Sequence, residues 1–308
     1  RKRDNLPLLA DNLRSLSTVN YLTGNYQQAL MEAEEASRIS QSIGNVWGHA
    51  GGLHSSCYVY LESGKPGQAI EALKEAIHLG EQGGLSVFLP FGRSALGWVY
   101  STLGAFEPGL ALCRQARVEV VDVPPALRPW VLAMIALAEI LNGNLADAEA
   151  TIRESEIGLR MENLTYSGSV FVLLAKVQLG LARGDTLRDI AHLDDQVAYL
   201  KNAGVRTFLP DALYLKSKAL LAQGRAEEAH EALAQARAKA QAIGSQRSLW
   251  QILFALSQLE AQHGRTDAAQ KLRRQAQEVV ESIADQAGTS ELRASFLNLP
   301  EVQAVLSG

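Results

Sequence analysis

The chain has little of what usually makes chemistry legible in a sequence. Of its 308 residues only two are cysteine, Cys57 and Cys113. Two cysteines cannot supply a four-ligand zinc site, and a chain this long needs no disulfide staple, so both are expected to be small buried apolar residues. No stretch reaches the roughly 18 uninterrupted apolar residues of a membrane span. No charged-apolar-small leader opens the chain. It begins without Met, as a piece of a longer protein would, and a cytoplasmic location is expected. Net charge is −4 and the pI about 5.9, so nothing draws phosphate, and no direct nucleic-acid partner is expected. The basic start Arg1-Lys2-Arg3 is too short for a binding patch and reads as a frayed terminus.

Catalytic and cofactor motifs are missing too. Gly83-Gly84 lacks the Lys-Ser/Thr of a phosphate loop, and Gly64-Lys65 runs into Pro66. His230-Glu231 has no second histidine at metalloprotease spacing. His49, His54, His78, His192, His230 and His263 are scattered, and the best pair, His49 and His54, does not share a helix face. No Gly-x-Ser-x-Gly elbow occurs. Glu34-Glu35 and Asp194-Asp195 are adjacent carboxylates, which point apart on a helix and read as solvated surface. Asn163-Leu164-Thr165 matches a glycosylation sequon by chance. No cofactor, no metal and no enzymatic activity are expected.

What is present is a rhythm. Gly24, Gly64, Gly104, Gly143, Gly184, Gly224 and Gly264 follow one another at intervals of 40, 40, 39, 41, 40 and 40 residues, by subtraction. Gly44, Gly84, Gly204 and Gly244 fall halfway between, with Pro124 and Asn163 in the remaining slots. A helix breaker about every 20 residues is the signature of stacked helical hairpins. Small residues recur in the same frame. Seven places before the turn glycine stand Ser17, Cys57, Gly97, Ala136, Val177, Ser217 and Ser257. Five places after stand Ala29, Ala69, Gly109, Ala148, Asp189, Ala229 and Ala269; twelve after, Ala36, Ala76, Ala116, Ser155, Gln196, Ala236 and Ala276. Small side chains at fixed sites let paired helices approach closely. Leu209-Leu213-Leu220 and Ile252-Leu256-Leu259 repeat at helical spacing. Pro66 and Pro108 belong to first helical turns, where a missing N–H removes nothing.

This small-residue, glycine and alanine pattern resembles the tetratricopeptide repeat (TPR) over about residues 6–287, with its aromatic sites partly met by Tyr26, Tyr60, Tyr100 and Phe106. The period of about 40, against the usual 34, implies helices of about 17 residues and ~25 Å. An Ile-Gly or Ala-Gly stop at Gly44, Gly204 and Gly244 replaces the closing proline. That departure resembles the C-terminal TPR regions of bacterial MalT-like regulators and ATPase- or cyclase-linked signalling proteins. The phrase Glu291-Leu292-Arg293-Ala294-Ser295-Phe296-Leu297, then Leu299-Pro300-Glu301-Val302, is similar to the tail of the cyclase-linked group. The fold expected is all-α: a right-handed superhelical solenoid of about seven hairpins, 6–45, 46–85, 86–124, 125–163, 164–204, 205–244 and 245–287, closed by a cap at 288–308. Pro124-Pro125 and the fifth unit, with Asp189 and Gln196 in small-residue slots, mark the irregular joints.

In a TPR-like array the first helix of each hairpin lines a concave groove. The inward sites predicted from the frame are Arg14, His54, Tyr58, Phe91, Ser94, Trp98, Trp130, Phe171, Gln178, Tyr214, Lys218 and Phe254. A band of rings offers contact area at low entropic cost to a peptide, a protein segment or a small effector, with Arg14, His54 and Lys218 to orient it. Rings in helices also serve as core, which is the other reading of any single one. The function expected is a protein-interaction or sensor module in a larger bacterial signalling protein. The alternative is a self-association scaffold, a homo-oligomer paired through an exposed apolar end such as Leu297, Leu299 and Val302.

Overall fold

A computed structural model describes residues 5–157, 166–184 and 186–307. Arg1-Lys2-Arg3 and Asn163, with its sequon, lie outside the described residues, as does the Asp189 side chain. Among the described residues there are sixteen α-helices and no strand. In chain order they are α1 (Leu6–Leu22), α2 (Tyr26–Ser42), α3 (Val46–Glu62), α4 (Pro66–Gln82), α5 (Leu89–Thr102), α6 (Phe106–Glu119), α7 (Arg128–Leu141) and α8 (Leu145–Ile157). Then follow α9 (Tyr166–Arg183), α10 (Thr186–Asn202), α11 (Leu209–Ala222), α12 (Ala226–Ile243), α13 (Gln246–Gln262), α14 (Thr266–Asp285), α15 (Ser290–Leu297) and α16 (Pro300–Leu306). Each of the first four runs 17 residues.

The glycines set the reversals. At the end of α3, Gly64 takes φ +74°, its N–H bonds Leu61 O at 3.1 Å, and Lys65 N–H bonds Tyr60 O at 2.9 Å. Those two bonds satisfy carbonyls that the helix end would otherwise leave open, and only glycine adopts the left-handed turn without strain. The same pair of bonds forms after α11, from Gly224 to Leu221 O and from Arg225 to Leu220 O. At the proline joint, α6 gives way to a single 3-10 turn, Val120–Asp122. Arg128 ties the loop back by donating to Val123 O and Val121 O.

The small-residue sites are where hairpin helices touch. Ser17, Cys57, Ala29, Ala69, Ala36, Ala76 and Ala116 are all buried. Ser17 Oγ donates to Ala29 O at 2.8 Å, joining two of these sites across the first hairpin. In the third hairpin the approach is close: a Cβ on Gly97 would lie 2.8 Å from Gly109 O and 2.6 Å from Cys113 Sγ. Gln196 is the exception, a buried amide on α10 whose oxygen and nitrogen have no partner.

The superhelix closes on itself. Leu22 O accepts from the amides of both Arg206 and Thr207, and Thr207 Oγ1 donates to Tyr21 O. Gly67 N–H, at the start of α4, donates to Gln286 O at 2.8 Å. A Cβ on Gly104 would meet Ser295 O and Leu299. Three successive reversals of the early hairpins thus rest on the α10–α11 loop, the end of α14 and the α15–α16 pair. Partners across this seam are 183 to 186 residues apart where side chains join it, between four and five hairpin lengths.

This seam corrects the expected self-association face. Val302 is fully buried and Leu297 and Leu299 are half-buried, because the cap pair packs against the α5–α6 turn and α13–α14. Exposed apolar side chains stand instead on α1, at Leu8, Leu9, Leu16 and Val19.

Candidate functional site

The inner helices bring six of the twelve predicted side chains into one aromatic cluster: His54, Tyr58, Phe91, Trp98, Trp130 and Phe171. Trp130 is its hub, stacked on Phe171 at 6.4 Å between centroids and meeting Phe91 at 5.8 Å, His54 at 6.0 Å and Tyr58 at 6.2 Å. Trp98 meets Phe171 edge-on at 6.1 Å. Tyr21, Phe88 and Phe208 also join the cluster, with Phe171 and Phe208 only 4.8 Å apart. The frame of inward positions did not include those three, since Phe88 and Phe208 immediately precede their helices and Tyr21 lies near the end of its own.

Of the two readings of these rings, core or binding surface, packing against one another is what the superhelix presents for most of them. His54, Tyr58, Ser94, Trp98 and Phe171 are buried. The physical reason is closure: one superhelical turn brings inner faces together, and the rings remove more apolar area from water against each other than around an empty axis. Arg14, Phe91, Trp130, Gln178, Tyr214 and Phe254 are half-buried and Lys218 is exposed. A narrow slot of about 20 Å³, room for a single water, remains between Ser17, Thr18, Tyr21, His54, Tyr58, Trp130 and Phe171.

Electrostatics keep this interior neutral. Burial, helped by the Arg14 charge, lowers the His54 pKa to about 4 against the opposing hydrogen bond to the Phe91 backbone. The ring is uncharged at neutral pH, and its Nε2 accepts from the Tyr58 hydroxyl at 3.3 Å. Arg14 packs with its Cδ close to Gly51. Ser94 Oγ is spent on Phe91 O.

Tyr214 and Lys218 stand on α11 and Phe254 on α13. Lys218 Nζ stands 5.7 Å from the Tyr214 ring centre, and the Arg273 guanidinium 5.4 Å from that of Phe254, a geometry in which cation and ring attract.

The polar centre that sequence reasoning missed lies on the seam. Arg247, at the start of α13, donates through Nε to Glu62 Oε1 at 2.7 Å and through its two terminal nitrogens to both Asp211 oxygens at 2.8 Å. Ser245 Oγ donates to the other Glu62 oxygen at 2.6 Å. Burial pushes the Glu62 carboxyl above its usual range, against the pull of Arg247. No spacing links residue 62 to residue 247. The single hint was a carboxylate two places before a turn glycine, where the other units carry the uncharged Leu22, Thr102, Leu141, Ala182, Ala222 and Gln262.

Among the described residues, no group of three or more His, Cys, Asp and Glu side chains is arranged to hold a metal ion, and no helix is long and apolar enough to cross a membrane. No family model matches the sequence, and a search of curated proteins found no match. Solved structures do match. A Rap protein complexed with competence and sporulation factor aligns with TM-score 0.71 at 11% identity, covering 97% of this chain and 86% of that one. A signal transduction ATPase with numerous domains, with a tetratricopeptide repeat sensor, from Pyrococcus horikoshii aligns at 0.61 and 13% identity over 92% of this chain, which spans 45% of that protein's length. A human IFIT1 dimer with PPP-AAAA aligns at 0.54 and 12% identity, over 99% of this chain and 81% of that one. At such identities the likeness is one of fold, and with the helical array and its glycine reversals it places this chain in one architecture: a tetratricopeptide-repeat solenoid.

Proposed function

We propose that the chain is a protein-interaction or sensor module that takes a peptide, a protein segment or a small effector on its inner face, as the regulatory part of a larger bacterial signalling protein. The observation that carries this reading is the ring-rich inner surface with its cations still reachable. Arg14 packs by Gly51, near enough for its charge to act on His54 of the aromatic cluster, and Lys218 stands over Tyr214. Rings supply contact area and the two cations fix orientation or take a carboxylate. Gln178, another inward site of the frame, is half-buried, while His54, Tyr58, Ser94, Trp98 and Phe171 are buried. The likeness in fold to a Rap protein complexed with competence and sporulation factor, and to an ATPase with a TPR sensor, supports a module that binds and reports.

The test is selection of binders from a displayed random-peptide library on the full chain. Enrichment that is lost in the Arg14→Glu/Lys218→Glu variant is the expected result. A library with no enriched sequence, or the same enrichment by that variant, removes the inner face from the account.

Self-association is a second reading, carried by the exposed Leu8, Leu9, Leu16 and Val19 on α1. Light scattering at dilute and concentrated protein decides it: a strict monomer sinks it, and a dimer abolished by Leu16→Glu supports it.

A further inference from the structure

One face of α1 carries the repeat sites that later first helices bury against the hairpin before them. In α3 these sites, sixteen, twelve, eight and five places before the turn glycine, are Gly48, Gly52, Ser56 and Val59, all buried. A Cβ on Gly48 would strike Ser40, and one on Gly52 would meet Ser37 and Ala33 O, so the covering helix is α2. Around α5 the same sites are Phe88, Gly92, Leu96 and Val99, again buried, and a Cβ on Gly92 would lie 2.8 Å from Ile77 of α4. In α13 they are Ser248, Ile252, Leu256 and Leu259, buried too. In α1 they are Leu8, Asn12, Leu16 and Val19, and all four are exposed, the apolar three by 52%, 50% and 55%. The covering sites repeat as well, nine, thirteen and sixteen places after the turn glycine: Ala33, Ser37 and Ser40 on α2, and Leu73, Ile77 and Gly80 on α4. At the other end of the array the chain covers its own last set. Arg273 and Gln277 of α14 donate to the Ala304 and Val305 carbonyls of α16, and Val280 is fully buried. An array end that faces water carries a polar outer surface, whereas this face of α1 carries two leucines and a valine around one asparagine.

We infer that this face of α1 docks an amphipathic helix of a different protein, one with small or apolar residues at i, i+4 and i+7, laid on α1 as α4 is laid on α5. The pattern follows from the covering sites, which three- and four-residue steps keep on one helix face. A second copy has no such helix free at its C-terminal end, because α14 spends these sites on α16, so copies do not add head to tail. The site is separate from the inner face, and its occupant is not the second copy of the self-association reading.

The test titrates the full chain into a fluorescent peptide with the sequence of residues 66–82, the α4 sequence, stapled between its exposed positions 71 and 75. A free helix of 17 residues is marginal in water, and the staple takes its folding out of the measurement. Saturable binding, weakened at least tenfold by Leu16→Glu in the chain and at least tenfold by Ile77→Glu in the peptide, is the expected result. Leu16 already faces water, so its replacement leaves the fold intact. No binding by the stapled peptide overturns the inference, as does binding indifferent to Leu16→Glu. A dimer in light scattering that Leu16→Glu abolishes also overturns it, because a second copy then holds the face. The Arg14→Glu/Lys218→Glu variant should bind the peptide as the wild type does; lost binding there would put the peptide on the inner face and overturn the assignment to α1. Failure of this titration leaves library binders of the inner face untouched, and failure of the library leaves this isotherm to stand alone.

Discussion

Replacing Arg247 by Met should open the seam of the superhelix. The guanidinium makes three charge-assisted hydrogen bonds, one to Glu62 and two to Asp211. The three side chains are 19%, 1% and 12% exposed. Methionine fills much of the volume but leaves two carboxylates facing each other with no cation. Removing one partner of a buried ionic set costs about 3–5 kcal/mol, because the charge left behind keeps its desolvation penalty without its attraction. The loss should be local before it is global. In a repeat array each hairpin is held chiefly by its neighbours, so the amides of Arg206 and Thr207, which bond Leu22 O across the seam, should exchange much faster in the variant while those within hairpins change little. Urea unfolding followed by tryptophan fluorescence, with amide exchange at those two sites, reads both effects. The defect should shrink as pH falls. Burial already raises the Glu62 pKa, and a raised carboxyl costs stability above that value and none once protonated in both states. The companion variant Glu62→Gln/Asp211→Asn/Arg247→Met leaves no unpaired charge and should recover most of the loss. A single variant that costs less than about 1 kcal/mol, the worth of one ordinary hydrogen bond, or that leaves Arg206 and Thr207 protected, would refute this account of the seam.

Three further outcomes follow from single sites. Gln196→Met keeps the volume and removes two buried atoms that have no partner, so it should stabilise the protein by roughly 1–2 kcal/mol, read as a higher urea midpoint. Gly97→Ala should destabilise by roughly 1–3 kcal/mol, because the new methyl meets Gly109 O and Cys113 Sγ inside contact distance, and the third hairpin must part to admit it. Glu139 has its pKa raised to about 7, chiefly by burial, with one carboxylate oxygen unpartnered. A raised carboxyl costs stability as pH climbs from about 4.5, its unfolded value, through about 7. Glu139→Gln should therefore be more stable than wild type at pH 8 and gain little at pH 4, as thermal unfolding at the two pH values will tell.

Local chemistry was legible in the sequence because it repeats. A glycine that must take a positive φ, such as Gly64 or Gly224, marks a reversal whatever lies around it. An alanine where two helices touch, such as Ala29 or Ala76, announces a close approach by its size alone. The even spacing of these two signals was enough for the all-helical array. The same frame singled out Tyr58, Trp98, Trp130 and Phe171 together, and the structure sets these rings in contact.

Whether those rings face a partner or one another was decided elsewhere. That depends on how far the stack curls, a small rotation added at every hairpin, which no residue encodes singly. Only the closed superhelix sets Thr207 on Tyr21 and Arg247 between Glu62 and Asp211. The sequence by itself determined the helices, their reversals and the faces they present, since each rests on conformational preferences acting within one repeat. The tertiary structure alone decided which faces meet, because contacts between residues some 185 positions apart arise from accumulated curvature and leave no periodic trace in the chain.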